Sequence, residues 1–381
     1  MSLKLAALGY EGRLITEKGI QIVRIAYIFI GQIYPQTGVG KKVRGQVEAW
    51  KEMGHAVEVF DLPVESIDKG KKLVPSIKMM IRRLREVRRL SEKIRTWSPD
   101  ILYARAGLTY YPSLDYLFRD FPVVFEVNTD EIREYKLTYS PFKYVFFVCT
   151  RRRYLSQAAA FICVTKELNE KYLRYRKPIK IISNGIKLSD YPILHPVEKE
   201  HMELVFVGND DYPWNGIDVI CEMAGIFPSW EFNIIGMGKQ NGCPRNVHFR
   251  GKLSYPEYMY YYQRADVSIG TLALNRKGMK EASPLKVREY LAHGIPVIIG
   301  YEDTDFPNGA EFILRIASDL SDPRGISAIK EFVMKWRGKR IDRNEVQSIN
   351  SPIKERERMA FLEWIMAADL AARDEHGKPI H

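Results

Sequence analysis

The chain has 381 residues, 46% hydrophobic and 28% charged, with a formal net charge of +11. That is globular composition, which excludes a disordered chain, and the length exceeds one typical core, so two domains are expected. No apolar run approaches a spanning helix, and the positive balance favours acidic partners: nucleotide diphosphates, anionic lipid surfaces or nucleic acid.

Residues 1–21 carry little pattern and read as an N-terminal extension. They lack the long apolar core of a signal peptide, so a cytoplasmic location is expected. Val23 to Ile30 is a near-continuous apolar strand, as a sheet covered on both faces requires. The turn Gly38-Val39-Gly40 follows, then a helix from about Lys42 to Met53 stopped by Gly54, then the strand Ala56 to Leu62. This is a parallel βαβ unit without a dinucleotide fingerprint. Ile77 to Arg95 is a basic amphipathic helix, with Ile77, Met80, Ile81, Leu84, Val87 and Ile94 on one stripe. Two readings stay open for its charged face: plain solvation, or attraction to an anionic membrane surface, which makes peripheral attachment to the inner face of the cell membrane an expectation. The run Tyr144 to Tyr154, apolar and then triply basic, is a candidate for the same surface.

Arg105 follows the strand Ile101 to Ala104 and Asn128 follows Pro122 to Val127, so both stand at carboxyl ends of strands, where α/β sheets bind ligands. Pro192, Pro196 and the charged run Glu198 to His201 form a linker between domains at 22–190 and 203–350. Glu203 to Val207 opens the second half, Phe232 to Gly238 and Val247 to Leu253 continue it, and Tyr255 to Ala265 is a tyrosine-rich helix that reads as packing. A closing helix is expected over 353–372. The four cysteines, Cys149, Cys163, Cys221 and Cys243, are widely spaced and read as scattered buried thiols, without zinc or a disulfide framework. His55, His195, His201, His248 and His293 read as loop or surface residues with no catalytic role.

The most informative stretch is Ala265 to Gly300: strand, long loop, capped helix, strand. Ser283 before Pro284 reads as the helix N-cap with proline at the first helical position, and Gly294 as the glycine after the end. The helix start faces the ligand crevice, so the N–H groups of Leu285 and Lys286 make an anion site to which Lys286 adds a full charge. Glu281 and Glu289 frame it. Glu289 either pairs with Lys286 at i,i+3 or accepts from hydroxyl groups, and Glu281 is either a solvated loop charge or a second hydroxyl acceptor.

EASPLKVRE, with Glu281 and Glu289 eight apart, resembles the E-x7-E motif of retaining glycosyltransferases of family 4 (group 1), of the polysaccharide-biosynthesis type, and YLAHGIPVI continues the likeness. The resemblance implies an α/β fold of two doubly wound, Rossmann-like domains facing across a cleft, the GT-B architecture, with the closing helix crossing back onto the first domain. It implies that Glu289 holds the donor ribose, that Glu281 contacts the transferred sugar, and that Ser283, Pro284, Leu285 and Lys286 receive the diphosphate. It places Gly38 and Gly40 against the donor phosphates, Arg105 and Asn128 on the acceptor side, and Lys252 and Leu253 near the nucleobase. Gly208, Asn209 and Asn215 fall where relatives hold the diphosphate, but relatives carry arginine at Asn209 and lysine at Asn215, and many show histidine near Asn128.

The implied reaction moves a sugar from a nucleotide-diphosphate donor to a saccharide or lipid-linked acceptor hydroxyl with retention. It serves cell-surface polysaccharide or glycolipid synthesis and uses no cofactor or metal. Two other classes compete: a non-catalytic nucleotide-sugar-binding or scaffold protein at the membrane, suggested by the missing charges, and a nucleic-acid binder. The latter lacks any recognisable module, so no nucleic-acid partner is expected.

Overall fold

In the computed structural model, residues 22–31, 33, 37–62, 77–209 and 212–371 are described. The extension at 1–21, part of the loop before Gly38, Asp210, Asp211 and residue 372 of the expected closing helix lie outside them. The chain divides into two units, each built on a six-stranded parallel sheet.

The first unit takes the described residues up to Val164, Leu168–Ile182, and the chain from Pro352 onward. Its elements are β1 (Arg24–Ile30), α1 (Gly38–Glu52), β2 (Ala56–Leu62), α2 (Ile77–Trp97), β3 (Ile101–Arg105), α3 (Pro112–Asp120), β4 (Val123–Val127), α4 (Glu131–Thr138), α5 (Pro141–Leu155), β5 (Ala160–Cys163), α6 (Lys166–Tyr172) and β6 (Ile179–Ile181). The strands lie in the order β2-β1-β3-β4-β5-β6. Ile25, Ala26, Tyr27 and Ile28 of β1 are wholly buried, as a strand covered on both faces must be. Helix α1 starts at Gly38, four residues before the expected Lys42. The Thr37 hydroxyl accepts the Gly40 N–H at 3.1 Å, and this cap offsets what glycine costs in a first helical turn. The two glycines are therefore helix rather than loop. Helix α2 buries Val87, Leu90 and Ile94 but leaves Met80, Ile81 and Leu84 exposed, so the apolar stripe read from sequence is covered over only part of its length.

The second unit takes Ser183–Ser351 with Thr165–Glu167. It contains β7 (Glu203–Val207), α7 (Ile217–Ile226), β8 (Glu231–Ile235), β9 (Val247–Gly251), α8 (Tyr255–Arg264), β10 (Val267–Ile269), β11 (Glu281–Ala282), α9 (Leu285–Ala292), β12 (Val297–Ile299), β13 (Glu302–Asp303), β14 (Ile313–Arg315) and α10 (Pro323–Trp336), and α11 (Ser351–Ala371) follows. The main sheet runs β14-β12-β10-β7-β8-β9, and β11 pairs with β13 in a separate ribbon. Helix α8 opens on a capping box between Ser254 and Glu257, with proline in its first turn. Helix α11 contributes Met359, Leu362 and Ile365 to the core of the first unit beside Trp50, whose indole N–H donates to Glu355 Oε2 at 2.9 Å.

Two sequence readings are corrected. Cys221 of α7 and Cys243 of the β8–β9 connection form a disulfide, and Cys149 is exposed, so only Cys163 is a buried thiol. Helix α7 and the loop bring together two residues that look scattered along the chain. His55 and His293 are buried rather than superficial: the His55 ring accepts the Val23 N–H, and the His293 ring hydrogen-bonds the Pro192 carbonyl at 2.9 Å. Each ring is placed by a backbone group distant in sequence. No helix among the described residues is long and apolar enough to cross a membrane.

Candidate active site

The carboxyl ends of β7 and β10 and the start of α9 build one corner of the second unit. Gly236, just after β8, has φ +91°, and a Cβ there would lie 2.0 Å from the Gly208 carbonyl, so only glycine permits this approach of the two strand ends. Helix α9 begins at Leu285 with Pro284 at its N-cap, and no side chain caps it. This corrects the expectation that Ser283 is the cap. The Ser283 hydroxyl instead accepts from the Asn184 N–H and from Arg288 Nη2, both at 2.9 Å. The first N–H groups of α9 thus keep no side-chain partner, which is the condition for receiving an anion.

Lys286 sits in the first turn. Its ammonium lies 3.9 Å from the centre of the Phe206 ring and donates to Asn215 Oδ1 at 3.2 Å, while Asn215 Nδ2 donates to the Asn209 carbonyl at 3.1 Å. No carboxylate pairs with it among the described residues. Desolvation pulls its pKa from 10.5 down to about 7. An enclosed cation left without a counter-charge is costly, and an anionic ligand relieves that cost. At Asn209 and Asn215, where the family resemblance leads one to expect cations, Asn215 Oδ1 holds Lys286 and the Asn209 carbonyl holds the Asn215 amide. Arg276, near enough in sequence to substitute for them, is held bidentately by Asp218 at 2.8 and 2.5 Å. Lys277 lies over the Trp214 ring at 4.5 Å.

The two motif carboxylates have separate surroundings. Glu289 does not pair with Lys286: its Oε1 accepts the Tyr258 hydroxyl at 2.7 Å. Glu281, on β11, accepts the Lys166 and Glu167 N–H groups on Oε2 at 2.8 and 3.2 Å, and Glu167 returns the contact by accepting the Lys280 N–H at 2.7 Å. Its Oε1 has no hydrogen bond among the described residues. Arg288, between Lys286 and Glu289, points the other way. It is wholly buried, makes two bonds to Asp303 at 2.7 and 2.9 Å and one to Asp305 at 2.6 Å, and so ties β13 and Ser283 to the helix. Lys252 is exposed and Leu253 half-buried where the chain leaves β9.

The acceptor-side candidates belong to the first unit. Lys42, in the second turn of α1, donates to Asn128 Oδ1 at 2.7 Å and pairs with Glu126 at 2.8 Å. Burial raises the pKa of Glu126, but Lys42 and Arg358 overrule it and hold the carboxyl well below its usual range. Burial also lowers Lys42 to about 8 against the pull of Glu126. Arg105, at the end of β3, is half-buried and makes no ion pair among the described residues. Gly40 is buried and Gly38 exposed in the first turn of α1. The sequence reading missed Tyr258, Arg288 and Lys42. The first two lie on helices already singled out, one in the E-x7-E segment itself, and their spacing was the only available signal.

Among the described residues no group of three or more histidine, cysteine or carboxylate side chains is arranged to hold a metal. Residues 37–190 match Glycosyltransferase Family 4. No curated protein matches the chain. Among solved structures it resembles the sucrose-phosphate synthase of Thermosynechococcus elongatus at TM-score 0.65 and 16% identity, over 91% of this chain and 100% of that one. A lipopolysaccharide outer core galactosyltransferase follows at 0.55 and 14%, over 87% and 99% of the two chains. The catalytic domain of starch synthase IV from Arabidopsis thaliana, bound to ADP and acarbose, gives 0.57 and 10% over 91% and 99%. At these identities the likenesses establish the fold, which is GT-B. The match to Glycosyltransferase Family 4 covers residues 37–190, and the GT-B fold extends along nearly the whole chain.

Proposed function

We propose that the chain is a retaining glycosyltransferase that moves a sugar from a nucleotide-diphosphate donor to a hydroxyl of a saccharide or lipid-linked acceptor, in cell-surface polysaccharide or glycolipid synthesis. The observation that carries this reading is Lys286: a desolvated cation, with no carboxylate partner among the described residues, in the first turn of a helix that no side chain caps. The diphosphate sits on that helix start, with Ser283, Pro284 and Leu285 around it. Glu289 accepts from the ribose and Glu281 Oε1 from a sugar hydroxyl.

The bond from the anomeric carbon to the diphosphate breaks, the acceptor oxygen bonds to that carbon on the same face, and the acceptor proton leaves with the departing phosphate. Charge develops on the phosphate oxygen, where Lys286 and the helix N–H groups are already aimed. The protein itself supplies that positive charge, which is why the reading is metal-independent. The structure of starch synthase IV with ADP lends support, since that GT-B protein binds a nucleotide diphosphate.

A thermal-shift panel of UDP, GDP and ADP with their sugar conjugates tests the proposal. One nucleotide raises the midpoint of the wild type in proportion to the logarithm of its concentration, and Glu289→Ala or Lys286→Ala loses the shift. No shift with any nucleotide overturns the transfer reading, and binding without donor hydrolysis or transfer leaves the scaffold reading.

A further inference from the structure

Of the sixteen large apolar side chains that lie exposed among the described residues, nine fall on the first turns of α2 and the α4–α5 hairpin. The hairpin alone presents Leu137, Tyr139, Phe142, Val145, Phe146 and Val148, and Phe142 is 63% exposed. Helix α5 has two distinct sides. Phe147, Arg151, Tyr154 and Leu155 face inward, where Phe147 stacks on Tyr135 at 3.8 Å and Arg151 reaches Glu131 at 3.2 Å. Phe142, Val145, Phe146, Cys149 and Arg152 run along the other side at i, i+3, i+4, i+7 and i+10, a continuous outward stripe that turns from apolar to basic. Nothing in the core requires these side chains, and an apolar stripe of this size on a soluble surface marks an interaction site.

Charge identifies the partner. Helix α2 carries eight basic residues against two acidic ones and α5 four against none, although Arg151 of α5 is turned inward onto Glu131 and Arg153 pairs with Asp115. Lys136, Lys143 and Arg152 border the apolar stripe and make no ion pair among the described residues. A second copy of the chain would set those cations against themselves across a two-fold axis, which argues against self-association. A bilayer with anionic headgroups satisfies both features, because aliphatic and aromatic side chains enter the acyl boundary while the cations stay among the phosphates. Helix α2, which follows β2, and the α4–α5 hairpin, which follows β4, both leave the sheet from its carboxyl edge.

We infer that the outward face of the α4–α5 hairpin, with the first turns of α2, is a membrane-docking surface that inserts Phe142, Val145 and Phe146 into an anionic bilayer. The inference does not depend on the transfer reading, because docking needs neither donor nor acceptor. Sedimentation of the full chain with vesicles tests it. The wild type pellets with vesicles containing phosphatidylglycerol and much less with pure phosphatidylcholine, and added salt weakens binding without abolishing it. Replacing Phe142 and Phe146 together with serine lowers the partition coefficient about ten-fold or more. Arg152→Glu lowers it on anionic vesicles only.

Val145→Asp is a second probe of the same stripe, and an unchanged circular dichroism spectrum and thermal midpoint confirm that each variant is folded. Wild type remaining in the supernatant overturns the inference, as do serine and aspartate variants that bind like the wild type. A concentration-dependent dimer dissolved by the same variants also overturns it, in favour of a second copy covering the stripe.

Discussion

Lys286 concentrates the chemistry of the second unit in one side chain. Its folded-state pKa of about 7 lies below the unfolded value of 10.5, so between these limits the unfolded chain binds more protons than the folded one. Stability therefore rises with pH across that window, and the penalty is complete below about 7. Lys286→Met is expected to stabilise the unliganded chain below neutral pH by about 1–3 kcal/mol, read as a raised thermal midpoint. Nucleotide binding has the opposite sign. Affinity for a nucleoside diphosphate weakens as pH rises through about 7, by up to about ten-fold per unit, and Lys286→Met flattens that profile as well as weakening binding. A titration series across this range checks both. Arg288 contrasts with it. Arg288→Ala would leave Asp303 and Asp305 buried without their cation and is expected to cost about 3–5 kcal/mol in chemical denaturation. Lys286 and Glu289 were legible because a helix start and a spacing of eight announce them. Tyr258 was not, because it lies 31 residues from Glu289, and Asn215 was named as a site residue but not for its hold on Lys286, 71 residues away.

Among elements, strands were the most readable, since a sheet buried on both faces writes itself as unbroken apolar runs. Glu203–Val207 and Ala56–Leu62 have the bounds the sequence suggests. Helices were less so. Helix α5 is apolar on both its inward and its outward side, so no single face stands out in its sequence, and its outward apolar residues answer to no core. The disulfide was illegible for another reason: 22 residues separate Cys221 from Cys243, with no motif spacing, and only the packing of α7 beside the β8–β9 connection brings them together. This gives a thiol prediction. Without reductant the native chain shows one fast-reacting thiol, Cys149, and the denatured chain shows two as Cys163 is uncovered. After reduction four react, and the second unit loses about 3 kcal/mol of stability as its closed loop is released.

At the scale of the whole molecule the chain order and the spatial order disagree. The last helix, α11, fills the core of the unit made by the first strands, and its Leu362 is wholly buried beside residues more than three hundred positions earlier. Its charges are equally committed: Arg358 is bound to Glu355 and lies 3.5 Å from Glu126, the carboxylate that also receives Lys42 and the Asn128 amide. Leu362→Ala therefore leaves a cavity in the first unit and is expected to cost about 2–5 kcal/mol there. The proposed donor site offers a control for that effect. Lys286, Asn215, Glu289, Tyr258 and Glu281 all belong to the second unit, so the same substitution is expected to leave the dissociation constant of the nucleotide unchanged. Calorimetry gives the first quantity and isothermal titration below the unfolding range gives the second. A lowered transition with intact nucleotide affinity assigns donor binding to the second unit alone, whereas a matching loss of affinity shows that the core closed by α11 also shapes the donor site.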